Sequence, residues 1–181
     1  MLIVVLGIII ISVLVIVYYN RLIRLKNMVS ESWSGIDVQL KRRYELIPQL
    51  IAVVKTYADF ERKLFENVTV LRSSCMKESK IEIQSDQESK LSQEMRKVLI
   101  LVESYPDLKA NEQFLKLQHA LVDVEENLQK ARRYYNGTVR NLNIAIDQFP
   151  SNLVAKMGGF EQASFFELET ITEKQPPQIN N

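Results

Sequence analysis

Residue types that build metal and redox sites are scarce in this sequence. It has one cysteine, Cys75, and one histidine, His119. A single cysteine excludes an internal disulfide and any metal site with several cysteine ligands, and we expect Cys75 to be a small buried core residue. His119 lacks the Glu three residues before it that di-iron bundles use, and we expect it to be a solvated surface residue. With no HExxH motif and no glycine-rich phosphate loop, the sequence predicts no catalytic residues, no metal and no cofactor.

Glycine, proline and net charge are also low. Five glycines and five prolines occur in 181 residues, while Leu, Glu, Lys, Gln and Arg are abundant, and this composition favours helices. The 23 basic and 22 acidic residues nearly balance, which leaves no basic face of the kind that binds nucleic acid. The sequence therefore predicts an all-α protein with neither a nucleic-acid partner nor a small-molecule substrate.

A long apolar run at the N-terminus is the clearest feature that is present. Leu2 to Val17 carries no charge, and Tyr18 and Tyr19 follow where an interfacial aromatic belt would lie. A helix over residues 1–19 spans ~28 Å, close to the hydrocarbon thickness of a bilayer. A cleaved signal peptide would need basic residues before the run, and a buried core helix is seldom apolar on every face. We predict a single transmembrane helix over residues 1–19.

The basic residues beside this run predict its orientation. Three basic residues follow the apolar run: Arg21, Arg24 and Lys26. The only positive charge before the run is the amino terminus. Basic residues concentrate on the cytoplasmic side of membrane spans. We therefore expect a single-pass protein whose N-terminus lies outside the cytoplasm and whose remaining chain lies inside it.

The remaining sequence predicts an antiparallel up-down bundle of four long helices. The predicted helices cover about residues 20–45, 48–76, 87–104 and 111–149. Pro48 is expected to start the second helix, because proline disrupts a helix interior but suits a first turn. The polar stretch from Lys77 to Lys90 predicts a surface loop. One long kinked rod through Pro48 is the alternative, which would leave part of its apolar seam uncovered.

The end of the chain predicts a short helix and a tail. Pro150 ends the fourth helix, and Ser151 is placed to cap a short helical piece that ends at Gly158 and Gly159. The pair Pro176 and Pro177 indicates a frayed end. We assign residues 20–167 to the bundle domain and residues 168–181 to a C-terminal tail.

Four sequence blocks carry a resemblance to a known family. They are WSGIDVQLKRRYELIP at 33–48, YPDLKAN at 105–111, ARRYYN at 131–136 and FPSNLVA at 149–155. With these blocks in this order after an N-terminal anchor, the chain resembles the LemA family over nearly its whole length. The resemblance implies a membrane-anchored, cytoplasmic or periplasmic four-helix protein of bacteria, without established enzymatic activity. One branch of the family is linked to formation of the magnetosome membrane. We expect this chain in the bacterial inner membrane.

Two polar groups of residues form a candidate network or interface. Six lie on the first predicted helix and four on the fourth: Trp33, Asp37, Gln39, Arg42, Arg43, Tyr44, Arg132, Arg133, Tyr135 and Asn136. The simple interpretation is that most of these charges form solvated helix faces. The sharper hypothesis pairs Asp37 with Arg132 or Arg133, to fix helix register or to contact a neighbouring copy.

The stretch after Pro150 is unusually apolar for a chain end. Its apolar residues form a candidate membrane or subunit contact: Leu153, Val154, Met157, Phe160, Phe165 and Phe166. These side chains either pack over the membrane-facing end of the bundle, lie in the lipid interface, or join subunits.

These features predict a non-enzymatic structural protein that self-assembles at the bacterial membrane through its helical bundle. The expected partners are the lipid bilayer and other copies of the same chain. The alternative is an anchored adaptor that docks another membrane protein or a cytoplasmic protein. An enzyme ranks third, because no constellation of residues supports one.

Overall fold

The protein is helical throughout the part of the chain that the structure describes. A computed structural model describes residues 1–58 and 61–167, in which there are six helices and no β-strand. The helices are α1 (Leu2–Lys55), α2 (Arg62–Lys77), α3 (Ile81–Val102), α4 (Pro106–Lys109), α5 (Glu112–Asp147) and α6 (Ser151–Met157). The predicted all-α class is confirmed. The predicted tail, residues 168–181 with Pro176 and Pro177, lies outside the described residues.

The longest helix, α1, contains the apolar run and continues past it. It has 54 residues, with no interruption between Tyr19 and Arg21. The large apolar side chains from Leu2 to Val17 are mostly exposed. Among the described residues, α1 is the one helix long and apolar enough to cross a membrane. The prediction that the first helix leaves the apolar run without a break is confirmed.

The prediction that Pro48 starts a new helix was wrong, because Pro48 lies inside α1. Proline has no N–H, so the carbonyl oxygen of Tyr44, four residues earlier, lacks its normal helical donor. The Nε of Arg72 in α2 donates to that oxygen at 2.6 Å. This side chain replaces the missing hydrogen bond, which explains how the helix tolerates Pro48. The helix ends at Lys55 instead, and α2 begins at Arg62.

The predicted surface loop from Lys77 to Lys90 was also wrong over most of its length. Only Glu78 to Lys80 separate α2 from α3, and α3 begins at Ile81. Four polar residues in the first half of α3 are buried: Gln84, Ser85, Glu88 and Ser89. Polar residues give the same hydropathy pattern whether they are buried or exposed to solvent. The pattern therefore did not indicate where the helix begins.

The second half of the fold follows the prediction more closely. The 36-residue α5 matches the predicted fourth helix, and the Asn111 side chain accepts a hydrogen bond from the Phe114 N–H at 2.9 Å, so that Asn111 caps it. The short α4 lies between α3 and α5. The short helix predicted after Pro150 is α6.

The chain divides into two compact units. The first comprises Met1–Val38 and Leu128–Phe165, and the second comprises Gln39–Asn127 with Phe166 and Glu167. The first unit has a core of Leu22, Leu142, Ala145, Val154 and Ala155. The second buries apolar side chains from α1, α2, α3 and α5, among them Leu50, Val68, Leu91 and Phe114.

Candidate functional site

The most unusual site in the protein is a buried ion pair in the second unit. Arg43 lies in α1 at seam spacing with Ile47 and Leu50, which are buried apolar residues. This position directs the Arg43 side chain inwards, and the residue is only 2% exposed. Burying a charge is unfavourable unless it is paired and hydrogen-bonded, so the surroundings of Arg43 decide what the site can do.

Arg43 joins three helices through its guanidinium group. Its Nη1 donates to Glu88 Oε2 at 2.8 Å, and its Nη2 donates to the Ser92 hydroxyl at 2.8 Å. Its Nε lies 2.8 Å from Oε1 of Glu125. Glu88 is fully buried, whereas the Glu125 side chain is 42% exposed. Since Glu88 and Ser92 belong to α3 and Glu125 to α5, one α1 side chain fixes the register of three helices.

Tyr44 and Cys75 complete this group, which we call the Arg43 cluster (Arg43, Tyr44, Cys75, Glu88, Ser92 and Glu125). The Tyr44 hydroxyl donates to Glu88 Oε1. Burial, followed by the negative charge of Glu88, raises the pKa of Tyr44 well above its usual value. The same two causes raise the pKa of the Cys75 thiol from 9.0 to about 12. Both groups are therefore neutral at physiological pH.

These pKa directions predict an unreactive thiol. In the folded protein at pH 8, we expect iodoacetamide to alkylate Cys75 at least ~100-fold more slowly than in the unfolded chain, because the thiolate is the nucleophile and is suppressed. The matched control is Met76→Cys, which adds a thiol at the adjacent, 55% exposed position. Mass spectrometry should find one label on that variant and none on the unaltered protein. Rapid labelling of folded Cys75 would contradict the assignment.

The same thiol implies a direction for stability at alkaline pH. A thiol whose pKa is raised on folding contributes to the stability of the folded protein. This contribution is complete at any pH below the pKa that the thiol has in the unfolded chain. For Cys75 the raised value is about 12, against an ordinary 9.0. Its contribution is therefore present below about pH 9 and is lost as the pH rises towards 12.

The Arg43 cluster connects α1, α3 and α5 through its own side chains. Its carboxylates are occupied by Arg43 and Tyr44, and its thiol is protonated at neutral pH. Within residues 1–58 and 61–167, no three His, Cys, Asp or Glu residues are grouped so that they would hold a metal ion. Removing one partner of such a buried pair is strongly destabilising, so the pair favours the packing in which both partners meet.

A second polar contact lies in the first unit, where the predicted residues Trp33 and Tyr135 meet. Their ring centroids are 5.4 Å apart in an edge-to-face arrangement. The hydroxyls of Ser32 and Thr138 lie 2.8 Å apart beside them. The Tyr135 hydroxyl donates to the carbonyl of Ser164 at 2.8 Å. These contacts join α1, α5 and the segment after α6.

The other predicted polar residues have mixed environments. Arg42 and Arg133 are exposed, as expected for solvated helix faces. The partly buried members are Asp37, Gln39, Arg132 and Asn136. The pairing of Asp37 with Arg132 or Arg133 stays a prediction. His119 is exposed and Cys75 is buried, as predicted.

The predicted apolar contact residues at the chain end also separate into two groups. Val154 and Phe166 are buried, and Phe160 packs on Tyr19 with ring centroids 5.7 Å apart. Leu153, Met157 and Phe165 are exposed. Part of this stretch therefore packs onto α1, and the other part faces outwards.

The sequence reasoning missed Glu88, although a signal for it exists. The apolar positions Val102, Val98, Met95 and Leu91 recur at steps of four and three. Continuing the same steps towards the N-terminus reaches Glu88, Gln84 and Ile81. A charged residue at a position where apolar residues otherwise recur indicates a buried ion pair. Its partner Arg43 lies at such a position in α1.

Comparison with known proteins gives consistent relatives. The model of the LemA family matches residues 32–180. Magnetosome protein MamQ 2 of Paramagnetospirillum magneticum is 21% identical over 82% of this chain and 64% of its own length. Protein LemA of Metamycoplasma hominis is 27% identical over 84% of this chain and 70% of its own length. The chain thus spans a little less than two thirds of the MamQ protein.

Proposed function

The chain belongs to the LemA family, and on that premise we propose that it is a membrane-anchored structural protein without enzymatic activity. It self-assembles through its helical domain at the bacterial membrane and organises that membrane. The remainder of α1, together with α2, α3 and α5, packs as an antiparallel up-down four-helix bundle. The contacts of the Arg43 cluster, which join α1, α3 and α5, and the hydrogen bond from Arg72 in α2 to α1 support this arrangement.

The single observation that carries the proposal is the continuity of α1. One unbroken helix, Leu2–Lys55, contains both the apolar run and the Arg43 cluster's central residue. The anchor and the start of the bundle therefore share one continuous helix, and the anchor holds each copy at the membrane. Copies held in one plane meet at a high effective concentration, so weak side-to-side contacts suffice for assembly.

Exposed apolar side chains outside the anchor supply surface for such contacts. Those that are at least half exposed include Val38, Val70, Ile100, Val122 and Tyr134. Scattered apolar residues are common on protein surfaces, and each contributes little alone. When the anchors already align two copies, the small contributions of these side chains to association add together.

The proposed location is the bacterial inner membrane, with a single pass. The apolar run and the membrane-associated relatives fit a membrane location. The basic residues after the run favour a cytoplasmic bundle and an external N-terminus. A reporter enzyme that is active only outside the cytoplasm, fused to the C-terminus, checks this orientation. We expect it to be inactive, and an active reporter would show that the orientation is the opposite one.

An anchored adaptor is the second candidate, and a groove beside the anchor favours it. An open groove of about 520 Å³ is lined by residues of α1 from Asn20 to Glu31 and by Tyr134 of α5. It combines apolar, amide and charged groups, including Arg24. Such a mixed surface suits a segment of another membrane or cytoplasmic protein.

Electron microscopy of the full chain, extracted in mild detergent, tests the proposal. We expect large, regular particles. Inserting Gly-Gly between Asn20 and Arg21 should abolish that regularity, because it uncouples the bundle from the span. The matched control inserts Gly-Gly between Ser79 and Lys80, in the link between α2 and α3, and should leave the particles intact.

Two outcomes would contradict the proposal. Small monodisperse particles from the unaltered protein would favour the adaptor over the self-assembling protein. Regular particles that survive the insertion after Asn20 would show that the anchor is a flexible tether, and they would remove the reason for lateral assembly given above.

A further inference from the structure

The position of α6 relative to the apolar run is set by contacts within the first unit. Val154 and Ala155 are buried in a cluster with Leu22, and Val15 and Tyr18 pack against that cluster. Val15 and Tyr18 belong to the last part of the apolar run. The buried face of α6 therefore packs beside the end of the apolar run.

The residues after α6 bring the chain against the tyrosine pair. Phe160 stacks edge-on against Tyr19, with ring centroids 5.7 Å apart and an interplanar angle of 74°. Gly158 lies so close to both rings that an added Cβ would be 2.7 Å from Phe160 Cε2 and 3.3 Å from Tyr19 Cε2. Only glycine allows this approach without displacing the rings. The C-terminal end of α6 is thus fixed beside Tyr19.

The opposite side of α6 carries large apolar side chains that are exposed within the described part of the chain. Leu153 is 55% exposed and Met157 is 81% exposed. They are four residues apart and so share one face of the helix. Phe149, between α5 and α6, is 76% exposed. We call Phe149, Leu153 and Met157 the α6 apolar face.

We propose that the α6 apolar face inserts into the headgroup and upper acyl region of the bilayer, beside the transmembrane part of α1. We infer the bilayer as the occupant, because the buried side of α6 packs against the end of the apolar run and the C-terminal end of α6 lies beside Tyr19. Tyrosines at the ends of spans mark that boundary. An apolar helix face at this depth binds the interface and leaves its polar side towards the headgroups. The exposed Lys156 lies among these residues and can extend to lipid phosphates.

Insertion beside the span has a consequence for the membrane. The α6 apolar face occupies the upper part of one leaflet only, whereas the span crosses both. Interfacial helices of this kind respond to membrane curvature. The inference rests on the membrane anchor of the proposed function and is independent of its self-assembly, so the two are tested by different measurements.

Depth-dependent fluorescence quenching tests the insertion in the full chain. Single variants Leu153→Cys and Met157→Cys are labelled with an environment-sensitive fluorophore and reconstituted into phosphatidylcholine–phosphatidylglycerol vesicles. The unaltered protein, whose Cys75 is buried, is the labelling blank. A phospholipid with a nitroxide near its headgroup should reduce the emission of both variants at least about twofold.

Two further positions act as controls. Val122→Cys in α5 is 50% exposed, and it lies ~37 Å along the helix axis from the end of α5, so the nitroxide should leave its emission unchanged. Ile10→Cys, in the apolar run, should be quenched by a nitroxide placed deep in the acyl chain. This second control reports whether the anchor is inserted.

Each other outcome overturns the inference. Quenching at Ile10 without quenching at Leu153 and Met157 would retain the anchor and exclude the α6 insertion. Emission from the α6 positions that changes with the protein-to-lipid ratio, without nitroxide quenching, would assign the face to a second copy. Equal quenching at Val122 would indicate unspecific adsorption. No quenching at Ile10 would remove the anchor, and with it both this inference and the proposed function.

Discussion

Replacing Arg43 by alanine is expected to lower the free energy of unfolding by about 3–5 kcal/mol, the cost of leaving a buried charge without its partner. Arg43 is 2% exposed, and its Nη1 lies 2.8 Å from the carboxylate of the fully buried Glu88. Denaturant titration of the full chain in mild detergent, followed by circular dichroism, measures this loss.

The neighbouring residue provides the matched control for Arg43. Arg42 has the same chemistry and is exposed, so Arg42→Ala should change stability by no more than about 0.5 kcal/mol. Replacing both buried partners, as Arg43→Met with Glu88→Leu, should recover part of the loss, because no fully buried charge is left unpaired and the Glu125 side chain is 42% exposed. An Arg43→Ala variant as stable as the Arg42→Ala variant would show that the ion pair contributes nothing.

Replacing Arg72 by alanine is the second substitution with a large expected effect, a loss of about 1.5–3 kcal/mol. The Arg72 guanidinium donates to the Tyr44 carbonyl at 2.6 Å, and this is the carbonyl that Pro48 deprives of a helical partner. Without Arg72, a partly buried carbonyl loses a charge-assisted hydrogen bond. The same unfolding measurement in detergent detects the change.

Restoring the backbone donor should make Arg72 less necessary. In a Pro48→Ala background the N–H of residue 48 can bond to the Tyr44 carbonyl, so Arg72→Ala should cost about 1 kcal/mol less than in the unaltered chain. Pro48→Ala alone should raise stability by about 1–3 kcal/mol. Lys63→Ala, at an exposed basic position of α2, is the control for a lost positive charge. Equal costs of Arg72→Ala in the two backgrounds would contradict the coupling.

The parts of the fold that were predictable depend on residues close together in sequence. The apolar run before Tyr19 is long enough to cross a bilayer whatever it packs against. The α5 helix shows its apolar seam from Phe114 to Ala145, and Pro150 ends the pattern. In each case neighbouring residues supply the signal and tertiary contacts only reinforce it.

The candidate site was predictable in part. Arg43 and Tyr44 belong to the predicted polar group on the first helix. Trp33 and Tyr135 belong one to each of the two predicted polar groups, and their rings meet in the first unit. Glu88 was missed, because a polar stretch with a buried face has the composition of a loop. The partners of Arg43 on α3 and α5 were therefore not identified.

The sequence by itself determined the long apolar N-terminal helix, the helical class and the family, because these follow from local composition and from motifs at fixed spacing. The tertiary structure decided whether α1 continues through Pro48, and whether Glu88 faces solvent or the interior. Both outcomes depend on satisfying a polar group: the Tyr44 carbonyl by Arg72, and the Glu88 carboxylate by Arg43 and Tyr44. These partners come from other helices, and only folding brings them within hydrogen-bonding distance.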